Sequence, residues 1–334
     1  MKTKTIAGGV IDVPGAAQMP PAVRGALEAA SASQGFNTDG GKLIHHNRNW
    51  VVRLPKAGLD GPVIAKVHQA GTGRAEVVRQ VRLAEWLLDS GVLTARPAGT
   101  RWPVLAGPYF VTFTHDLGEG ARLSSAELAR ALAQLHALPV PADLDLPPLD
   151  PAAPLLARIE QIPQQVLTNP DRRWLTGHIQ ELGDLFRTTH WPGETALVHG
   201  DLATFNAIRT SAGPALIDWE ECKVGTPLVD LAFLAWSRDA FSTDPEEYDR
   251  FCAVYGTDVT TVDGGKLYEQ VLAPLRAATG AVIAFEALSR DPAWVDEAAY
   301  RMTCVRGQGE RQFGYPWGWS VASGYTKPAS PDRV

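Results

Sequence analysis

Three cysteines in 334 residues, Cys222, Cys252 and Cys304, are too few, too scattered and odd in number for a disulfide framework or a metal knuckle. No run of eighteen or more residues is continuously apolar. The amino terminus carries Lys2 and Lys4 but breaks at Gly8, Gly9 and Pro14 before an apolar stretch can form. Neither export nor membrane insertion is therefore expected, and free thiols suit a reducing cytoplasm. Basic charge is also short: 31 Lys and Arg stand against 37 Asp and Glu, a formal net charge of −6. A nucleic-acid binder needs a basic face to neutralise phosphates, so none is expected as a partner, and a small cationic one suits the charge better. Several signatures are missing too. The Gly-Gly-Lys-Leu runs at Gly40 and Gly264 do not continue to the Ser or Thr of a phosphate loop, and Gly71-x-Gly73 and Gly118-x-Gly120 lack the third glycine of a dinucleotide fingerprint. There is no Gly-x-Ser-x-Gly elbow, no His-Glu-x-x-His helix and no internal repeat.

What the chain does have is length, 45% hydrophobic content and two facing motifs. The length exceeds what one core usually organises, which predicts two packed lobes. Ala196-Leu197-Val198 leads into His199-Gly200-Asp201, with Asn206 five positions after Asp201. Ala215-Leu216-Ile217 leads into Asp218-Trp219-Glu220 after a break at Ser211, Gly213 and Pro214. Each reads as a short buried strand feeding a loop, and two hairpin-linked strands would bring Asp201, Asn206 and Asp218 to one spot. An isolated triplet of this kind would do no more than brace a turn or cap a strand. Two carboxylates and an amide at matched spacing suit phosphoryl transfer, in which positioning and electrostatics do the catalysis.

These motifs resemble those of the aminoglycoside phosphotransferase family, relatives of the choline kinases and the protein kinases. The segment Gly225-Thr226-Pro227-Leu228-Val229-Asp230-Leu231-Ala232 fits the Gly-x-Pro-x-x-Asp-Leu-Ala of that family. The resemblance implies Asp201 as catalytic base, Asn206 and Asp218 as ligands of magnesium, His199 as a brace and Asp230 as a buried anchor for the loop. It implies an α+β, bilobal, protein-kinase-like fold, with a small antiparallel-sheet lobe over residues 1–113, a hinge over 114–120 and a mainly helical lobe over 121–334. The reaction implied is transfer of the γ-phosphate of ATP or GTP to a hydroxyl of a small molecule, an aminoglycoside or other antibiotic. A sugar, a choline-like amino alcohol or another metabolite is the alternative acceptor. A nucleotide-binding scaffold without catalysis is the rival class. The oligomeric state stays open.

The rest of the chain is placed against this frame. Residues 42–54 read as a hairpin which, by the resemblance, covers the nucleotide phosphates. Its tip has no glycine, so contacts fall to backbone amides and to Asn47, Arg48 and Asn49. Lys66 sits within the β-branched run Val63-Ile64-Ala65-Lys66-Val67 and needs an anion, unless it is an edge-strand lysine that discourages aggregation. By the resemblance it grips the α- and β-phosphates and pairs with an acid on the following helix, 74–90. Glu76 is the expected partner, sharing a face with Gln80, while Glu85 reads as a solvated charge.

A helix is expected over 21–32 and strands over 102–105 and 108–113. Another helix starts at Ser124 or Ser125, where Glu127 completes a capping box. His136 reads as a packing residue, and the proline-rich 139–154 as a surface loop. Helices are expected over 155–166, 172–187, 229–236, 246–254, 267–288 and 294–306, the later ones walling the acceptor pocket by the resemblance. The acids Asp239, Asp244, Glu246, Glu247 and Asp249 either receive a polyamine or simply form a wet helix start. The aromatic, glycine-rich 313–319 either closes the pocket or packs on the surface.

Overall fold

A computed structural model describes residues 19–46, 48–55, 61–100, 102–118, 120–202, 206–241, 244–308 and 319. Asn47, three residues of the segment between Asp201 and Asn206, and all of 313–319 except Trp319 lie outside them. Packing divides the chain into two units, 1–146 with 203–222, and 147–202 with 223–334.

In the first unit, β1 (Lys42–His46), β2 (Trp50–Leu54), β3 (Val63–Val67), β4 (Val104–Ala106) and β5 (Tyr109–His115) form an antiparallel sheet of order β1-β2-β3-β5-β4. Side chains alternate across it, as a two-residue period demands. Val52, Leu54, Val63, Ala65, Val67, Val111 and Phe113 face α1 (Pro21–Gln34), which supplies Val23, Ala26, Leu27 and Ala30 to one core. Pro21 starts α1 at the position where a missing N–H costs nothing. Gly35 ends it in the left-handed region, where the Phe36 N–H reaches back to the Ser31 carbonyl. The opposite face of β3 carries Lys66, level with Val51 of β2 and Thr112 of β5. Strand β5 runs through His115, so the first two residues of the expected hinge are sheet, and the Asp116 N–H then bonds the Pro62 carbonyl.

Helix α2 (Arg74–Asp89) buries Val77, Val81, Ala84 and Leu87 along the expected stripe. The capping box at Ser124 and Glu127 is present and opens α3 (Ser125–His136). Strand β6 (Ala121–Arg122) pairs with β8 (Ala207–Thr210), which forms a hairpin with β9 (Gly213–Leu216).

The second unit holds α4 (Ala152–Gln161), α5 (Asn169–Thr188), α6 (Leu228–Phe241), α7 (Pro245–Tyr255), α8 (Ala273–Leu288) and α9 (Val295–Val305). A two-stranded sheet joins β7 (Ala196–Val198) to β10 (Lys223–Gly225). Helix α4 starts inside the expected proline-rich loop and stops at Gln161, just ahead of Pro163, shorter than its apolar pattern suggests. The segment Val262–Leu288 is long and apolar enough to cross a membrane by length and composition, although charged residues interrupt its apolar run. Two thirds of its most apolar window, 67%, is buried in the fold, as befits a core helix.

Alanines and Gly280 let neighbours approach α8 closely. Arg301 donates to the Gly280 carbonyl at 2.9 Å, pairs with Glu297 at 2.7 Å and lies over the Trp319 ring. A Cβ on Gly280 would run into that ring. Gly280→Ala should therefore lose roughly 1–3 kcal/mol through overpacking, although alanine is the better helix former. Gly177→Ala, in α5 with open space around it, should gain about 0.5–1 kcal/mol. Chemical denaturation of the two variants checks the contrast, and equal shifts would deny the Trp319 contact.

Candidate active site

The first unit gathers a cationic amine, two carboxylates and an amide. Lys66 Nζ lies 2.8 Å from Asp218 Oδ1 and is also bonded to Glu220 Oε1. Asn49 Nδ2 donates to the same Glu220 oxygen at 2.5 Å, while Asn49 Oδ1 accepts the Gln69 N–H at 3.0 Å. Local backbone explains the convergence. Asp218 adopts φ 68°, ψ 71°, a left-handed conformation that aspartate tolerates better than most residues, and the chain then tightens into the short turn Trp219–Glu221. Asp218 and Glu220 thereby both reach Lys66. Trp219 between them is buried elsewhere, its indole N–H bonding Thr94 Oγ1 at 2.8 Å.

Two negative charges share one positive charge here. Burial alone would depress the Lys66 ammonium, but Asp218 and Glu220 more than offset it and hold its pKa above the ordinary lysine value. Glu220 moves up, chiefly through burial, with Asp218 adding repulsion and Lys66 opposing both. An additional cation would relieve that repulsion.

His68, just past the end of β3, is 2% exposed and 3.0 Å from Thr112 Oγ1. Burial, reinforced by the Lys66 charge, pushes its pKa down to about 3. Its folded value lies below its unfolded one, so its contribution to stability is complete above about pH 6.5 and is lost as pH falls toward 3. About 2 kcal/mol should disappear between pH 7.5 and 5. Urea midpoints across that range test this, with His68→Gln expected to flatten the slope and an unchanged slope counting against it.

Asn206 and Asp218 come to the same end of the β8–β9 hairpin, where Ala207 pairs with Leu216 and the Ile217 N–H bonds the Asn206 carbonyl at 2.9 Å. Asn206 is 3% exposed. This corrects the expected strand pairing. The strand before Asp201 is β7, which pairs with β10, and a separate strand beginning after Asn206 forms the hairpin with β9. Asp201 accordingly belongs to the second unit, whereas Asn206 and Asp218 belong to the first.

Glu76 is not the acid that Lys66 meets. It is exposed in the first turn of α2 and makes no hydrogen bond or ion pair among the described residues. Glu85 is exposed too, while Gln80 turns its amide nitrogen into the interior. The carboxylates come instead from Asp218 and Glu220, one of which, Glu220, stood in the Ile-Asp-Trp-Glu run without a role assigned to it.

In the second unit, the Asp201 loop is held from behind. Asp230 is 0% exposed, and its two carboxylate oxygens accept the His199 N–H at 2.7 Å and the Gly200 N–H at 2.9 Å. Charge-assisted bonds to backbone N–H groups are among the stronger ones a buried carboxylate can make. Gly200, at φ 81°, makes the left-handed turn that puts Asp201 beyond the strand end. Asp201 itself is partly exposed. Four of the five acids of the cluster, all but Asp249, are engaged by neighbouring arginines. Asp239 pairs with Arg238 at 2.8 Å and accepts the Tyr268 hydroxyl at 2.7 Å, while Arg250 serves Glu246 at 3.0 Å and Glu247 at 2.6 Å.

The fold is protein-kinase-like, an antiparallel sheet in the amino-terminal region followed by a helical carboxyl-terminal region. Residues 44–268 match the model of the phosphotransferase enzyme family, more than half of the chain, and the chain belongs to that family. Solved structures with the same fold include an amicoumacin kinase in complex with AMP-PNP and Ca2+. It is 13% identical with a TM-score of 0.68, over 87% of this chain and 95% of that one. A spectinomycin phosphotransferase in complex with ADP and spectinomycin is 14% identical, TM-score 0.54, over 81% and 89%. The choline kinase of Streptococcus pneumoniae is 18% identical, TM-score 0.55, over 83% and 97%. No curated protein matches the chain.

Proposed function

We propose that this phosphotransferase moves the γ-phosphate of ATP or GTP onto a hydroxyl of a small molecule. The observation that carries the reading is the Lys66–Asp218 ion pair in a chain of this family. A lysine held within a sheet strand by a carboxylate is suited to exchange that partner for phosphate oxygens when nucleotide arrives. Asn49, just before β2, would line the nucleotide site by holding Glu220 in place, and Glu76 would contribute only if it met the nucleotide itself.

The donor set fits magnesium. The described residues hold no cluster of three or more His, Cys, Asp or Glu, but magnesium needs only one or two protein ligands besides phosphates and water, and Asn206 and Asp218 share one hairpin end. When bound, the ion would neutralise charge building on the phosphates. Asp201 would accept the hydroxyl proton as the acceptor oxygen bonds to the γ-phosphorus and the bond from that phosphorus to the β,γ-bridging oxygen breaks, leaving ADP or GDP.

The related names include kinases of antibiotics and of choline, so an antibiotic acceptor and an amino alcohol both stay within the proposal. The acidic cluster argues less for a cation, because four of its five carboxylates, all but Asp249, already have arginine partners. A cytoplasmic site of action suits the demand for nucleotide triphosphate. The test is a coupled ADP-release screen over hydroxylated metabolites and antibiotics, with mass spectrometry of the products. Magnesium-dependent gain of one phosphoryl group is expected, and nucleotide binding with no transfer to any alcohol would favour the non-catalytic scaffold.

A further inference from the structure

Arg276 is the one cation on the mainly apolar helix α8, within the same unit as Asp201. Its Nη2 donates to the Val229 carbonyl at 2.7 Å, and the guanidinium lies over the Phe233 ring, 5.3 Å from its centroid. Val229 adjoins Asp230, Asp230 holds the Gly200 N–H, and Gly200 adjoins Asp201. A short run of bonds thus ties Arg276 to the loop bearing the expected base. The Val229 bond is the only hydrogen bond that Arg276 makes among the described residues, and it forms no ion pair there.

None of the remaining guanidinium nitrogens is among the buried side-chain atoms left without a partner in the described residues, so these N–H groups stay open to water or to a ligand. Asp230 already accepts two backbone N–H groups, and no Arg276–Asp230 bond is present among the described residues. Burial lowers the Arg276 pKa, while Asp230 and Asp201 act in the opposite direction, which keeps the group a cation within their field. The planar fork, steadied by Val229 and Phe233, is preorganised for a two-oxygen anion. A polycation in the same place would meet like charge.

We infer that Arg276 selects the acceptor, pairing with a carboxylate carried by the hydroxylated small molecule whose hydroxyl is presented to Asp201. The inference rests on the phosphotransferase reading and narrows it to hydroxy acids over polyamines.

The experiment measures kcat/KM, with magnesium and ATP, for a panel of hydroxy carboxylates including glycerate and gluconate. Each is run beside its primary amide, with choline and an aminoglycoside as the cationic arm. The wild-type protein should favour carboxylate over amide by roughly tenfold or more, the range that a charge-assisted hydrogen bond supplies. Arg276→Gln should bring that ratio close to one, chiefly through KM, and Arg276→Lys should restore part of it. A purely structural arginine would alter all acceptors alike and leave the ratio unchanged, which would overturn the inference. Preference for the cationic arm, or a carboxylate preference that survives in Arg276→Gln, would overturn it as well while leaving the phosphotransferase reading intact. Transfer to no acceptor of any charge would remove that reading, and this inference with it.

Discussion

Asp201→Ala should cut kcat by about 10²- to 10⁴-fold, the range typical of a positioned general base, while leaving the nucleotide dissociation constant within about twofold of wild type. The separation follows from the different roles expected of the groups. The residues expected to hold nucleotide and metal, Lys66, Asn206 and Asp218, belong to the first unit, and Asp201 belongs to the second, at the end of β7. Removing its carboxylate should therefore weaken the step and spare the binding. Single-turnover rates together with titration of a fluorescent nucleotide separate the two quantities. A variant that phosphorylates normally would strip Asp201 of its role, and one that loses nucleotide affinity in proportion to rate would move that role to binding.

Asp230→Ala should be the most damaging change to the fold around the loop. It leaves the buried N–H of His199 and the partly buried N–H of Gly200 without their acceptor, at about 1–3 kcal/mol for a buried group and less for a partly buried one, so the loss should be roughly 2–4 kcal/mol. Asp230→Asn should also be destabilising, because an amide offers one oxygen and turns an NH2 donor toward a second donor. The Asp201 loop loses its registration in both variants, so kcat should fall together with thermal stability even though residue 201 is unchanged. Thermal denaturation and kcat measured on the same preparations check this, and a variant with wild-type melting would show that the two N–H groups find other acceptors.

Elements whose pattern is local were legible in the sequence. The β-branched run at 63–67, the apolar stripe from Val77 to Leu87 and the Ser124–Glu127 capping box each depend on residues within a few positions, and each appears as read. The pairing of the site was less legible. Asp218 and Glu220 lie more than 150 positions from Lys66, and no local periodicity records that they meet it in place of Glu76. Strand β10 was invisible because Lys223-Val224-Gly225 carries no β signature, and without it the strand before Asp201 looked like the natural mate of the one before Asp218. The acidic run at 239–249 looked receptive only because the arginines that flank it, Arg238 and Arg250, were not weighed as its neutralising partners, although their bonds are local. Arg276 gave one signal, as the one cation in the helix expected over 267–288, and no role was assigned to it.

One reaction mixture reaches the centre of the account: γ-labelled ATP with magnesium and the best acceptor from the screen, run in parallel with wild-type protein and Asp201→Ala. The label should leave nucleotide for the acceptor hydroxyl with the wild-type protein, depend on magnesium, and stay almost entirely on ATP in the variant. Label recovered only as inorganic phosphate, or passed to the acceptor equally well by the variant, would contradict it.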